Sequence, residues 1–196
     1  MKSTALNVPN LLSLLRVALV PAFVVSLLLM RDIEIWGAIV PTVIFALTAL
    51  TDMLDGKIAR KYNLVTDFGK FIDPLADKFM VISSLIAINV LMFIRGESTV
   101  GFIFLAVVLL ILFRELAVTS LRLVVAGKSG IVVAASLFGK IKTVSQMVGT
   151  VVILLEPLVW DGRIGSYVVM AIMAITTVFS GIDYMKAYLP HIDTNA

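Results

Sequence analysis

The length of its apolar runs decides what this chain can fold into. The first runs through residues 11–30, and comparable runs recur as far as residue 188. About 20 apolar residues, rising 1.5 Å each, cross a ~30 Å hydrocarbon core as a helix. Six segments fit: roughly 10–30, 35–60, 69–94, 100–125, 137–155 and 164–188. In lipid every backbone polar group needs an internal partner, so helices are the default. Polar, turn-like residues at 95–98, 126–130 and 156–163 separate the later segments. The chain is 60% hydrophobic, whereas soluble domains are about 45–50% apolar. The expectation is an all-α polytopic membrane protein with six transmembrane helices, forming one domain over residues 1–196. The first run reads as a retained helix and not a cleaved signal. No small-x-small pattern follows it; Arg31, Asp32 and Glu34 do.

Orientation follows from the basic residues. With the N-terminus inside, the inner ends collect Lys2, Arg16, Lys57, Arg60, Lys61, Lys70, Lys78, Arg114, Arg122, Lys128, Lys140, Lys142 and Lys186. Only Arg31, Arg95 and Arg163 fall outside. Both termini are therefore expected in the cytoplasm. Trp36 and Trp160 then lie at outer ends, and Tyr62 and Tyr188 at inner ends, as an aromatic belt requires. The net charge of +3 suits a protein working beside anionic lipid or phosphate. The basic residues are scattered among apolar helices and form no soluble basic face, so no nucleic-acid partner is expected. The chain has no cysteine, which excludes disulfides and thiolate chemistry. The lone His191 sits in a polar tail and reads as a solvated surface group.

Residues 51–79 break the apolar pattern with five aspartates and five basic residues. At about 100° per residue, Asp52, Asp55, Gly56 and Ala59 share one face of the second helix. Gly69, Asp73 and Asp77, spaced by four, share a face of the third. A short inner loop should make these helices antiparallel neighbours, so that four carboxylates converge. Two like charges ~4 Å apart repel by about 4 kcal/mol at an effective dielectric near 20, so protons or cations must neutralise them. Oxygen-only ligation suits Mg²⁺ or Mn²⁺, and four carboxylates suffice for two ions clamping a phosphoryl displacement. Gly56 and Ala59 leave room for a ligand beside the acids. Asp73-Pro74 also reads as a helix start. Asp67 reads as a capping or solvated residue, and Lys57, Lys61, Lys70 and Lys78 as topological charge.

A second constellation lies at the same membrane depth. Arg114 and Arg122 project to one side of the fourth helix, and Lys140 and Lys142 open the fifth. A cationic pocket beside a metal cluster suggests a phosphorylated substrate, against a purely snorkelling role. Glu115 reads as a local ion-pair partner.

Residues 52–77 resemble the signature of the CDP-alcohol phosphotransferases: D-x-x-D-G-x-x-A-R, eight residues, then G-x-x-x-D-x-x-x-D. It is carried by Asp52, Asp55, Gly56, Ala59, Arg60, Gly69, Asp73 and Asp77 without departure. Residues 7–10 with Arg16, residues 113–115, and residues 134–143 with Gln146 are similar to the bacterial branch that uses a glycerol phosphate acceptor. The resemblance implies a six-helix homodimer in the bacterial cytoplasmic membrane, with its site open to the cytoplasm. It implies transfer of a phosphatidyl group from CDP-diacylglycerol to sn-glycerol 3-phosphate, releasing CMP. Asp52, Asp55 and Asp73 would hold two Mg²⁺ or Mn²⁺ ions; Asp77 would share them and act as general base. Asp52, Gly56, Ala59 and Arg60 would take the CDP moiety, and Arg114, Arg122, Lys140 and Lys142 the acceptor phosphate. Inositol, serine and phosphatidylglycerol are the acceptors of sibling enzymes. A divalent-cation transporter and an intramembrane prenyltransferase are the rivals from other classes. The first would want acids spread through the membrane depth, and the second gives no reason for the D-G-x-x-A-R spacing.

Overall fold

The computed structural model describes residues 7–62, 66–129, 136–160 and 162–191, without the side chains of 52–61, 70, 128, 129 and 191. Six helices follow one another: α1 Val8–Leu29, α2 Trp36–Lys61, α3 Asp67–Ile94, α4 Ser98–Ser129, α5 Leu137–Leu155 and α6 Ile164–Tyr188. Short 3₁₀ turns follow α5 and α6, and there is no strand among the described residues. Helices α1, α3, α4, α5 and α6 are long and apolar enough to cross a membrane, and α2 contributes a shorter apolar stretch over Trp36–Thr51. The chain is an all-helical polytopic membrane protein.

Local chemistry sets the boundaries. Asn7 caps α1, its side chain accepting from the Asn10 N–H at 3.0 Å, and Pro9 sits in the first turn where its missing N–H costs nothing. Helix α3 starts at Asp67 and not at Asp73-Pro74. Thr66 is the cap, its hydroxyl accepting from the Gly69 N–H at 2.9 Å, while Pro74 lies inside the helix. Asp73 is thus released from capping and free to serve the helix face. The turn expected at 126–130 is displaced too, since α4 runs on to Ser129. One exposed glycine, Gly127, costs a helix only about 1 kcal/mol and does not end it.

Helix α1 packs along both α2 and α3, α5 packs on α6, and α4 lies against α3 and α6. Among the described residues α2 and α3 make hardly any direct contact. The segment of α2 expected to face α3, residues 52–61, has its side chains outside the described residues; α1 packs against both helices, and the two share the walls of one cavity. The buried stripe of α1 reads Asn10, Ser13, Arg16, Val20, Phe23, Leu27, the alternating three- and four-residue spacing of a helix face. Its outer half joins an apolar core with Phe45, Ile88, Phe104, Ile111 and Met173. Its inner half is polar, and faces the start of α3.

At the end of the bundle away from this polar seam, Arg163 donates to Glu97 at 2.5 Å, and the Glu156 carboxylate accepts from the N–H groups of Gly165 and Ser166 at 2.5 and 2.7 Å. A carboxylate there satisfies donors that the first turn of α6 leaves unpaired.

Candidate active site

The seam between α1 and α3 sets the acidic side of the site. The Asn10 amide donates to the Thr66 hydroxyl at 2.8 Å. Ser13 donates to the Asp73 carboxylate at 2.5 Å. Arg16, fully buried, pairs with the half-exposed Asp77. Gly69 makes the close approach possible, since a Cβ there would lie 2.6 Å from the Asn10 side-chain oxygen and 3.2 Å from the Thr66 hydroxyl. The glycine of the signature is therefore a packing residue, and it fixes the register in which Ser13 and Arg16 meet the two aspartates. Sequence reasoning gave Arg16 a topological role and passed over Ser13. The signal that could have found both is the polar half of the α1 stripe.

Beside Asp77 opens a cavity of about 1050 Å³, at the top of the range for small-molecule sites. Its walls divide by chemistry. One end carries Asp77, Lys78, Arg114, Glu115, Arg122, Lys140, Lys142 and Tyr184; apart from Thr143 and Gln146 the rest is apolar, with Phe45, Ala46, Ala49 and Leu50 from α2 and Met147, Val148, Val151 and Val152 from α5. A charged head joined to an apolar trough matches an amphiphile.

All four basic residues picked out from the sequence line this one cavity. Arg114 and Lys142 are buried, whereas Arg122 and Lys140 are exposed to it. The Arg114 guanidinium donates to Glu115 at 2.9 Å and to the Ser180 hydroxyl at 2.5 Å, and the Lys142 ammonium donates to the same Glu115 oxygen. Glu115 therefore joins α4 to α5 and does more than pair locally. Tyr184 presents its ring to both arginines, at 5.0 Å from Arg114 and 5.9 Å from Arg122, close enough for cation–π attraction.

Three cavity residues were undervalued in the sequence. Lys78 reads as topological charge, yet it lines the cavity and donates to Thr119 on α4. The spacing of Pro74, Asp77, Lys78 and Val81 on one helix face could have revealed it. Tyr184 stands between Asp183 and Lys186 near the end of α6, with nothing in the sequence to tie it to the arginines of α4. Gln146, one turn along α5 from Lys142, is 1% exposed, and its amide nitrogen has no hydrogen-bond partner among the described residues. It sits where the charged end of the cavity gives way to the apolar trough.

The side chains of Asp52, Asp55, Gly56, Ala59 and Arg60 lie outside the described residues, although their backbone continues α2 as far as Lys61. Among the described residues no three acidic or histidine side chains come together. What is described fits a hard divalent ion: Asp73 and Asp77, one turn apart on α3, are all-oxygen donors held from one side by α1.

Comparison with known proteins agrees with this chemistry. The family model described as CDP-alcohol phosphatidyltransferase matches residues 6–181. The chain is 38% identical over 191 residues to the CDP-diacylglycerol–glycerol-3-phosphate 3-phosphatidyltransferase of Bacillus subtilis, covering 92% of this chain and 94% of that protein. It is 39% identical over 186 residues to a probable phosphatidylglycerophosphate synthase of Mycobacterium tuberculosis, covering 95% and 83%. A Salmonella typhimurium protein with the same name as the Bacillus one is 34% identical over 183 residues, covering 92% and 94%. With the signature complete and nearly the whole chain covered, the protein belongs to the CDP-alcohol phosphatidyltransferase family and is a transferase.

Proposed function

We propose that this enzyme transfers the phosphatidyl group of CDP-diacylglycerol to sn-glycerol 3-phosphate, giving phosphatidylglycerophosphate and CMP. The observation that carries this reading is the divided cavity, with Asp77 and five basic side chains at one end and an apolar trough between α2 and α5. The trough suits acyl chains, and the cationic end suits an acceptor that brings its own phosphate. An inositol or serine acceptor would give four clustered cations less to do. A cation-transport path is disfavoured by the same basic residues, which would repel the ion.

In this reading six helices cross a bacterial cytoplasmic membrane, both termini and the site face the cytoplasm, and the enzyme works as a homodimer. Asp73 and Asp77, with Asp52 and Asp55 from α2, would hold two Mg²⁺ or Mn²⁺ ions. When bound, these offset the charge of the diphosphate and of the departing nucleotide. Gly56 and Ala59 make room for the cytidine, and Arg60 holds the nucleotide end. Arg114, Arg122, Lys140 and Lys142 bind the acceptor phosphate and aim its free hydroxyl at the β-phosphorus. Asp77 takes the hydroxyl proton as the new P–O bond forms, and CMP leaves with the electron pair of the old one. Arg16, buried against Asp77, holds that carboxylate in place for this step.

The test is purified protein with CDP-diacylglycerol and Mg²⁺ against glycerol 3-phosphate, inositol, serine and phosphatidylglycerol, following CMP. Glycerol 3-phosphate alone should support release. CMP formed with another acceptor and not with this one would refute the acceptor, and release of pyrophosphate would refute the reaction. Initial-rate patterns should be sequential, since a ping-pong pattern would replace direct displacement by a covalent aspartyl intermediate.

A further inference from the structure

A carboxylate at the heart of an anion-binding cavity needs a reason, and Glu115 is such a group. Its side chain is only 11% exposed, and a single oxygen takes both the Arg114 guanidinium and the Lys142 ammonium. Arg114 continues to Ser180 on α6, while its Nε is buried with no partner among the described residues. The Glu115 carbonyl accepts from Thr119, whose hydroxyl takes the Lys78 ammonium from α3. Four helices, α3 to α6, thus meet around one residue.

Two opposite effects follow from this placement. As a charge, Glu115 lowers the positive potential of the cavity and weakens the binding of any anion. As an anchor, it holds two long, flexible cations in one geometry before a ligand arrives, so that less ordering entropy is lost on binding. Buried groups held by several partners at once are specified in position. One carboxylate also neutralises only one of the two buried cations, so a deficit is left for a ligand to fill.

We propose that Glu115 is a positioning residue: it pre-sets Arg114 and Lys142 as a fork for a phosphomonoester, and this orienting effect outweighs its repulsion of the anion. The proposal rests on the reading in which those two cations take the acceptor phosphate, and names the group that orders them.

The probe is inorganic phosphate, read by its protection of the purified enzyme against thermal unfolding, which needs no turnover. Wild type should be protected at millimolar phosphate. Glu115→Gln, which keeps shape and removes charge, should lose most of that protection, and its KM for glycerol 3-phosphate should rise at least tenfold with KM for CDP-diacylglycerol unchanged. Glu115→Asp keeps the charge and draws it back by one methylene, so protection should fall there too. That variant remains informative if Glu115→Gln fails to fold. The proposal is overturned if phosphate protects Glu115→Gln as well as or better than wild type, if Glu115→Asp is fully protected, or if wild type is not protected at all. If wild type is protected and both variants are not, yet no acceptor phosphate is ever transferred, the positioning role stands and the reading of the reaction fails.

Discussion

Replacing Gly69 by alanine adds one methyl group to the seam on which the acidic site is built. The new Cβ would meet the Asn10 oxygen at 2.6 Å, about 0.8 Å short of the 3.4 Å at which ordinary contact begins. Asn10 is not free to retreat, being 1% exposed and donating to Thr66 at 2.8 Å. Overpacking of this kind costs roughly 1–3 kcal/mol, and losing the Asn10–Thr66 bond adds about 1 kcal/mol. The better helix propensity of alanine returns about 1 kcal/mol. The net expectation is a loss of roughly 1–3 kcal/mol in stability. Activity should fall further than stability accounts for, because the same seam positions Asp73 and Asp77. A displacement approaching 1 Å costs on the order of a hundredfold in rate. The assay pairs CMP release with thermal unfolding for four proteins: wild type, Gly69→Ala, Asn10→Ala and the double variant. If Gly69 acts by packing, removing the Asn10 oxygen makes room, and the double variant should recover most of what Gly69→Ala lost. Strictly additive losses would refute this reasoning, and would point to a direct contact between Gly69 and a ligand.

Other consequences follow from the same geometry. Arg114→Ala removes charge-assisted bonds worth about 1.5–3 kcal/mol each, so KM for glycerol 3-phosphate should rise at least tenfold while CDP-diacylglycerol binding survives; equal loss of both would count against an acceptor-phosphate role. Asp77→Asn should lower kcat by on the order of 10²–10⁴ while leaving the helical content and much of the nucleotide binding in place, and an active variant would remove Asp77 as the base. Gln146→Leu deletes a buried amide nitrogen with no partner among the described residues, so stability should hold or rise by about 1 kcal/mol; a clear drop in melting temperature would mean that the amide is satisfied in the native protein.

The helices were legible because lipid leaves the backbone no alternative, and residues 137–155 and 164–188 fall where the apolar pattern put them. The gathering of Arg114, Arg122, Lys140 and Lys142 was legible from shared membrane depth. The contribution of α1 was not, because Ser13 and Arg16 interrupt an apolar run in which charge is expected for topological reasons alone. Lys78 was misread on the same ground. The helix start that Asp73-Pro74 also offers was not used, because Thr66, held by Asn10 of α1, caps α3 upstream. Glu115 was read through its neighbour in sequence, while the Lys142 that gives it weight lies on another helix. A one-dimensional pattern reports which face a residue is on, but not which helix meets that face.

The measurement that bears hardest on the function is the mass of the lipid product. Purified enzyme in mixed micelles, given CDP-diacylglycerol, Mg²⁺ and sn-glycerol 3-phosphate, should form a lipid carrying both the bridging and the acceptor phosphate, with one CMP per molecule. A product lacking the second phosphate, or CMP release that does not depend on glycerol 3-phosphate, would contradict it.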